Sequence, residues 1–417
     1  MVKRESEEEN RRELVLTDPR LKQGLNFVTE SVDRLGLKAI LKGGAVRDMV
    51  WNYIHGTNFT PRDLDIFVFG NIHVLHGDLL QKGAVAVNRK LRKGSTVFKY
   101  KLPGLSEVEL EIGSMITKPL SYHGRAGYPE MLFLDAFSSD LRVNSMSLPV
   151  SGGRTKWDIS EVHDPLDGKR DVKEKSLRVS NEDDVFQAER IFSSVRLSMQ
   201  LDADLPDHTL AKLARSSNKI PRVPYHRIKP EAERIIRSQR YDEAAEILHG
   251  LGAIDALFPG RVMDARELFK RWFEEDSPDF TVIMLKPDGV KKQLQVKMIK
   301  DMREIGLDLA ARLRFVLTPA KVSEIYPDIR NEWLIPRIVS HLTSGQCEAL
   351  LLLGQGALDK AREYIGQTAL DDRQPMGIRA IFADDFIRNV AHSPDSAKEL
   401  ERTAKALFPE LALPSKL

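Results

Sequence analysis

Between Asp255 and Asp279 the chain carries Pro259, Gly260 and Pro278 around the acidic run Glu274, Glu275 and Asp276, and the residue pattern differs on the two sides of this stretch. Proline, glycine and clustered charge interrupt regular structure, so the stretch marks a boundary between folding units. From about Asp183 to Phe258, Val185, Phe186, Ile191, Phe192, Val195 and Leu197 are interleaved with Arg190 and Arg196, an all-α pattern. Beyond the break, strands are expected at Thr281–Leu285, Leu309–Leu317 and Cys347–Leu353, with a helix at Leu294–Ile305. The N-terminal part is mixed. It predicts helices at Leu21–Leu35 and Val46–Tyr53 and strands at Lys38–Leu41, Leu64–Phe69 and Val108–Ile112. The 417 residues are thus read as a multi-domain α+β chain: a charged tail (1–20), a mixed domain (21–160), a mostly helical segment and linker (161–275), and a second α+β domain (280–417).

Composition narrows the function classes. Lys and Arg number 63 against 61 Asp and Glu, so any polyanion site must be a local groove rather than a global field. The single cysteine, Cys347, excludes an intrachain disulfide and a Cys-rich metal site. No apolar run approaches the roughly 20 residues of a membrane-spanning helix, and Met1 to Glu13 is charged rather than apolar. A cytoplasmic protein with no membrane contact is expected.

Two constellations carry chemistry. In the first, Gly43 and Gly44 lie between a strand and a helix that contains Arg47 and Asp48, where backbone N–H groups can approach a polyphosphate without Cβ obstruction. Nineteen residues after Gly44 comes Asp63-Leu64-Asp65, whose alternate carboxylates point to one side of a strand end and can hold Mg²⁺. With Tyr122-His123-Gly124-Arg125, the run Ser139 to Met146, the turn Asp164 to Gly168 and the helix Arg190 to Leu197, the region from about Lys22 to Gly260 resembles the head and neck of bacterial poly(A) polymerases and class II CCA-adding tRNA nucleotidyltransferases. The resemblance implies a template-independent nucleotidyltransferase head and an all-α neck. Asp63 and Asp65 would be catalytic metal ligands, completed by Glu109 or Glu111, with Glu111 preferred. Gly43, Gly44, Arg47, Asp48, Asp140, Asn144 and Arg190 would bind nucleotide, and the acceptor would be an RNA 3′ end. The chain departs from the family pattern at Ser138-Ser139-Asp140 and at Phe186-Gln187, where the family has Arg-Arg-Asp and an acidic pair, and it lacks a long basic C-terminal extension, which leaves a non-RNA acceptor open.

In the second, Thr281 to Leu285 is an apolar strand that delivers Lys286 into the turn Pro287-Asp288-Gly289, and far downstream Arg388-Asn389 precedes His392. A lysine at a strand end fixes a cation against phosphate, and a neutral imidazole can take up and return a phosphoryl group. With Thr343-Ser344-Gly345, Arg362, Ile365 to Thr368 and Gly377-Ile378-Arg379, residues of about 280–408 resemble nucleoside diphosphate kinase. The resemblance implies a ferredoxin-like fold and phosphotransfer from NTPs to NDPs through His392, with Mg²⁺. Lys286, Tyr326, Arg362, Thr368 and Arg379 would hold phosphates, Asn389 the ribose, and Leu334 the base, with Trp333 beside it. It also implies a homo-oligomer. Thr403 stands where the family has a glutamate against the histidine, and Ser393-Pro394 follows the nucleophile in place of the family's glycine and serine. The competing reading is a nucleotide-binding regulatory protein in which one or both sites are degenerate.

Overall fold

In the computed structural model, residues 13–92, 95–102, 105–115, 136, 139–180, 189–274, 279–327, 333–366, 377–409, 411 and 413 are described. The Tyr122 to Arg125 motif, Ser138, Phe186-Gln187 and Thr368 lie outside them. The chain divides into two units, residues 1–184 with 201–209, and residues 185–200 with 210–417.

The first unit is built on a six-stranded mixed sheet in the order β4-β5-β6-β3-β2-β7. Its strands are β2 (Lys38–Lys42), β3 (Leu64–Phe69), β4 (Val85–Arg92), β5 (Ser95–Leu102), β6 (Leu105–Met115) and β7 (Ser147–Val150), while β1 (Leu14–Val15) and β8 (Lys156–Trp157) form a separate pair. Helix α1 (Pro19–Arg34) starts at Asp18, whose carboxylate accepts the Arg20 N–H at 2.8 Å, and it buries Leu21, Leu25, Val28 and Val32 along one stripe. Helices α2 (Gly44–His55), α3 (Ile72–Gln81) and α4 (Gly168–Glu174) also belong to this unit. The glycine turn separates β2 from α2, and β3 runs antiparallel to β2 and parallel to β6.

The second unit holds helices α5 (Glu189–Leu201), α6 (Asp207–Ser216), α7 (Tyr225–Ile236), α8 (Tyr241–Gly250), α9 (Ala253–Leu257) and α10 (Ala265–Glu274), the ends of α5 and α6 crossing into the first unit. A four-stranded antiparallel sheet follows in the order β10-β11-β9-β12: β9 (Phe280–Leu285), β10 (Asp308–Val316), β11 (Gln346–Leu353) and β12 (Ala391–His392). This is the ferredoxin-like order, with the first and third strands central. Around it lie α11 (Pro287–Lys291), α12 (Leu294–Glu304), α13 (Pro319–Ile325), α14 (Leu334–Leu342), α15 (Ala357–Ile365), α16 (Ile378–Phe382) and α17 (Ala397–Leu407). The central strands are mostly apolar because both faces are covered, the exceptions being Thr281, Gln346 and Glu348, the last paired with Arg312 and Arg314. Ile283, Leu285, Leu350 and Leu352 pack with Met298 and Met302 of α12 and with Ala357, Ala361 and Ile365 of α15. Each fully buried side chain of leucine size contributes about 1.5–3 kcal/mol, and the sheet so held is the rigid platform for Lys286 and His392. No helix among the described residues is long and apolar enough to cross a membrane.

Candidate functional sites

In the first unit the register of the sheet gathers the acidic residues. Lys42 of β2 stands opposite Asp65, and Asp65 stands opposite Glu111 of β6, so Glu111 falls beside the first carboxylates. The side chain of Glu109 lies outside the described residues. Burial, then repulsion from Asp63 and Glu111, pushes the Asp65 carboxyl up to about 7, with Lys42 and Lys99 acting in the opposite sense. Arg62 pairs with Asp63 at 3.0 Å and Lys99 with Glu111 at 3.3 Å. Among the described residues no group of three or more His, Cys, Asp or Glu side chains is placed so that it could by itself hold a metal ion.

Gly43 has φ 70°, and a Cβ built on it would lie 2.9 Å from Asp65 Oδ2. A side chain here is excluded both by backbone conformation and by the carboxylate. Arg47, 8% exposed, donates from Nε to Asp48 at 2.9 Å and from Nη1 to Asn144 Oδ1 at 2.8 Å. Asn144 in turn donates to Asp140 Oδ1 at 2.7 Å. The two motifs around residues 43–48 and 139–146 thus share one polar chain beside the glycine turn. The Asp164 to Gly168 turn supports it structurally: a Cβ on Gly168 would lie 2.5 Å from the Arg142 carbonyl oxygen, and Asp164 accepts the Gly168 and Lys169 N–H groups at 2.6 and 2.9 Å. Arg190 is half-buried on α5, in the second unit.

In the second unit a cavity of about 230 Å³ is lined by Lys286, Tyr326, Leu334, Ile338, His341, Leu342, Arg379, Phe386, Ile387, Asn389 and His392. Six of the residues expected from the sequence therefore meet: Lys286, Tyr326, Leu334, Arg379, Asn389 and His392. Arg362 does not line it; it is exposed and donates to the Asp395 carbonyl at 2.8 Å. Trp333 is 62% exposed and lies under the Arg337 guanidinium, 4.2 Å from its ring centroid. Leu334, Ile338 and Phe386 supply an apolar wall at the opposite chemical extreme from Lys286 and Arg379.

Lys286 Nζ donates to Asn389 Oδ1 at 2.6 Å, and burial, reinforced by Arg379, pulls its ammonium down to about 7. Arg379 donates to the carbonyls of Gly366 and Ala391, both at 2.8 Å, which fixes its plane next to the histidine. Tyr326 packs its ring on that of His392, with centroids 5.0 Å apart, and its hydroxyl is buried with no hydrogen-bond partner among the described residues. Burial pushes that phenol up, so it stays an O–H group. His392 is 5% exposed; burial, then Lys286, Arg379 and Arg402, pulls its imidazole down to about 3, so it is neutral at pH 7. Its Nε2 faces Thr403 Oγ1 at 3.5 Å.

The local chain path explains the motif around Lys286. Val390 has φ 65°, an unfavourable conformation for a β-branched residue. Three contacts hold it: its N–H donates to Asp288 Oδ2 at 2.9 Å, its carbonyl accepts the Lys286 N–H at 2.9 Å, and a Cβ on Gly289 would lie 2.3 Å from that carbonyl. His341 meets the other oxygen of Asp288 at 2.9 Å. Asp288, Gly289 and His341 are functional neighbours that sequence reasoning left without a role. The Lys-Pro-Asp-Gly spacing was the signal for the first two, and nothing in the sequence marked His341.

A nucleoside diphosphate kinase family model matches residues 279–413. The nucleoside diphosphate kinase of Hyperthermus butylicus is 34% identical over 128 residues, 31% of this chain and 90% of that protein. That of Caldanaerobacter subterraneus subsp. tengcongensis is 31% identical over 137 residues, 32% of this chain and 97% of that protein. Among solved structures, a CCA-adding enzyme in complex with CTP is similar over 79% of this chain and 66% of its own, at 15% identity and a TM-score of 0.47. Through residues 279–413 the chain belongs to the nucleoside diphosphate kinase family.

Proposed function

We propose that the protein is a bifunctional nucleotide enzyme whose C-terminal domain moves the γ-phosphoryl group of an NTP to an NDP through His392. The observation that carries this reading is the meeting of Lys286, Tyr326, Arg379, Asn389 and the neutral His392 in one cavity. With Nε2 turned toward Thr403, Nδ1 offers the lone pair. It attacks the γ-phosphorus; the bond to the bridging oxygen breaks, and its electron pair leaves with the NDP. A second NDP reverses the step. Lys286 and Arg379 offset the charge on the transferring oxygens, and the Mg²⁺ that accompanies the nucleotide adds to them. Incubation with γ-labelled ATP, GDP and Mg²⁺ should give labelled GTP and an acid-labile label on the protein, both lost in His392→Ala. An unlabelled wild-type protein that makes no GTP would end this reading.

For the first unit we infer Mg²⁺-dependent transfer of a nucleotidyl group from an NTP to an acceptor hydroxyl, expected to be an RNA 3′ end. The reading is supported by the Asp65–Glu111 register, the nearby charge of Asp63 and the Arg47–Asn144–Asp140 chain at the glycine turn. The donors are all oxygens, which suits Mg²⁺. That ion is commonly held by one or two carboxylates and completed by substrate phosphates rather than enclosed by protein. Asp63, Asp65 and Glu111 would hold it, and it would neutralise triphosphate charge and acidify the attacking hydroxyl. Labelled ATP or CTP offered with RNA should extend the RNA. Asp65→Asn should abolish extension without altering phosphotransfer, and chelation of Mg²⁺ should stop both.

The second reading, nucleotide binding without turnover, is favoured by Arg362 lying outside the cavity and by Thr403 facing the histidine without a charge. It predicts equal NTP affinity for wild type and His392→Ala, with no phosphoprotein.

A further inference from the structure

We propose that Glu399 is the carboxylate that orients His392, standing in from one helical turn earlier on α17 for the charge that Thr403 lacks. The inference rests on the phosphotransfer reading above. Residues four apart lie on one face of a helix, and Glu399 Oε1 is 3.8 Å from His392 Nε2, beside Thr403 Oγ1 at 3.5 Å. The Glu399 side chain is 18% exposed, so little water screens it from the ring; burial and the Asp395 carboxyl raise its own pKa, which the Asp395 N–H and Arg402 offset in part. Its two oxygens have separate tasks. Oε2 accepts the Asp395 N–H at 2.8 Å and so closes the start of α17, where Ser396 Oγ accepts the Glu399 N–H at 3.3 Å. Helix capping accounts for Oε2 alone; Oε1 stands between His392 Nε2 and Arg402 Nη2. Arg402 Nη2 lies 3.7 Å from Oε1, and Asp395 is the neighbouring acid.

A carboxylate facing Nε2 favours the tautomer with the proton on that nitrogen and the lone pair on Nδ1. When the N–P bond forms at Nδ1 the ring becomes cationic, and its attraction to Glu399 grows. Glu399 is therefore a positioning residue whose effect falls on the phosphoryl step and not on nucleotide binding.

Glu399→Gln keeps an acceptor for the Asp395 N–H and removes the charge. Rapid quench with γ-labelled ATP should show phosphorylation of His392 slowed about 10- to 100-fold, by analogy with carboxylates that orient metal-bound histidines, with ATP affinity and melting temperature unchanged. Wild-type rates in the variant, or a loss confined to affinity, would overturn the proposal. The ¹⁵N chemical shifts of His392 in the unaltered full-length protein give a second measure. The Nε2–H tautomer is expected, and a predominant Nδ1–H tautomer would overturn the proposal whether or not the variant folds. If the wild type itself forms no phosphohistidine, it is the kinase reading that fails; a labelled wild type with an equally fast variant removes only the role of Glu399.

Discussion

Gly43→Ala meets two obstacles at once, a φ of 70° and a contact of 2.9 Å with Asp65 Oδ2. A side chain in this conformation costs on the order of 1–3 kcal/mol, and relief of the contact must move either the turn or the carboxylate. Nucleotidyl transfer should fall sharply while phosphotransfer, housed in the other unit, is unchanged; both assays on one preparation check this. Lys286 is the corresponding residue of the second site. Its folded-state value of about 7 lies below the ordinary 10.5, so between these limits the unfolded chain holds more protons and the contribution to stability rises with pH. At pH 8 the free protein has Lys286 mostly neutral, and a bound triphosphate draws the proton back. Calorimetry in two buffers of different ionisation heat should show proton uptake on ATP binding at pH 8, absent in Lys286→Met.

At the scale of elements, the turn into α11 and the strand β12 form one device. Gly289 gives room to the Val390 carbonyl, Asp288 takes the Val390 N–H, and the strained residue aims His392 at the cavity. Gly289→Ala places a Cβ 2.3 Å from that carbonyl, and overpacking of this kind costs about 1–3 kcal/mol. It should shift β12, slow His392 phosphorylation and lower the melting temperature, as quench kinetics and a thermal scan would report. Much of this element order was readable beforehand. Leu64–Phe69 was expected with the bounds it has, and Leu294–Ile305 and Cys347–Leu353 match α12 and β11 within a residue, because buried strands and amphipathic helices write their periodicity into local sequence. Lys286, Asn389, Arg379 and His392, which line one cavity, could be named beforehand because their order and spacing resemble those of nucleoside diphosphate kinase. The β4–β5 hairpin was not anticipated: β4 begins Val85-Ala86-Val87, with both valines exposed, and continues Asn88-Arg89-Lys90, so no alternation of apolar and polar residues announces a strand. Glu399 and His341 were missed for another reason. Each matters through a contact made by folding, and a capping glutamate or a helix histidine looks the same whether or not an active residue lies opposite.

Within the second unit, the helical segment and the kinase domain are joined by more than the peptide chain. Trp272 packs on Phe280 with ring centroids 5.0 Å apart, and Arg271 pairs with Asp308 at 2.9 Å. The segment Gly260 to Met263 lies along the outer edge of β10, the Arg312 N–H donating to the Gly260 carbonyl and the Val262 N–H to that of Ala310, both at 2.9 Å. An open sheet edge invites pairing with another chain, and here the protein supplies the pairing from its own sequence at Ala310 to Arg312. A homo-oligomer of this protein would therefore have to form elsewhere than by continuing the sheet at these residues. Gly260 makes the arrangement fit: it has φ 70°, and a Cβ would lie 2.3 Å from the Arg312 carbonyl oxygen. Gly260→Val should detach the segment and lower the melting temperature, the strained conformation alone costing on the order of 1–3 kcal/mol. In the wild type the Arg312 amide should exchange slowly at a rate independent of protein concentration. In Gly260→Val it should exchange fast when dilute, and protection that returns as concentration rises would show the freed edge pairing with a second copy.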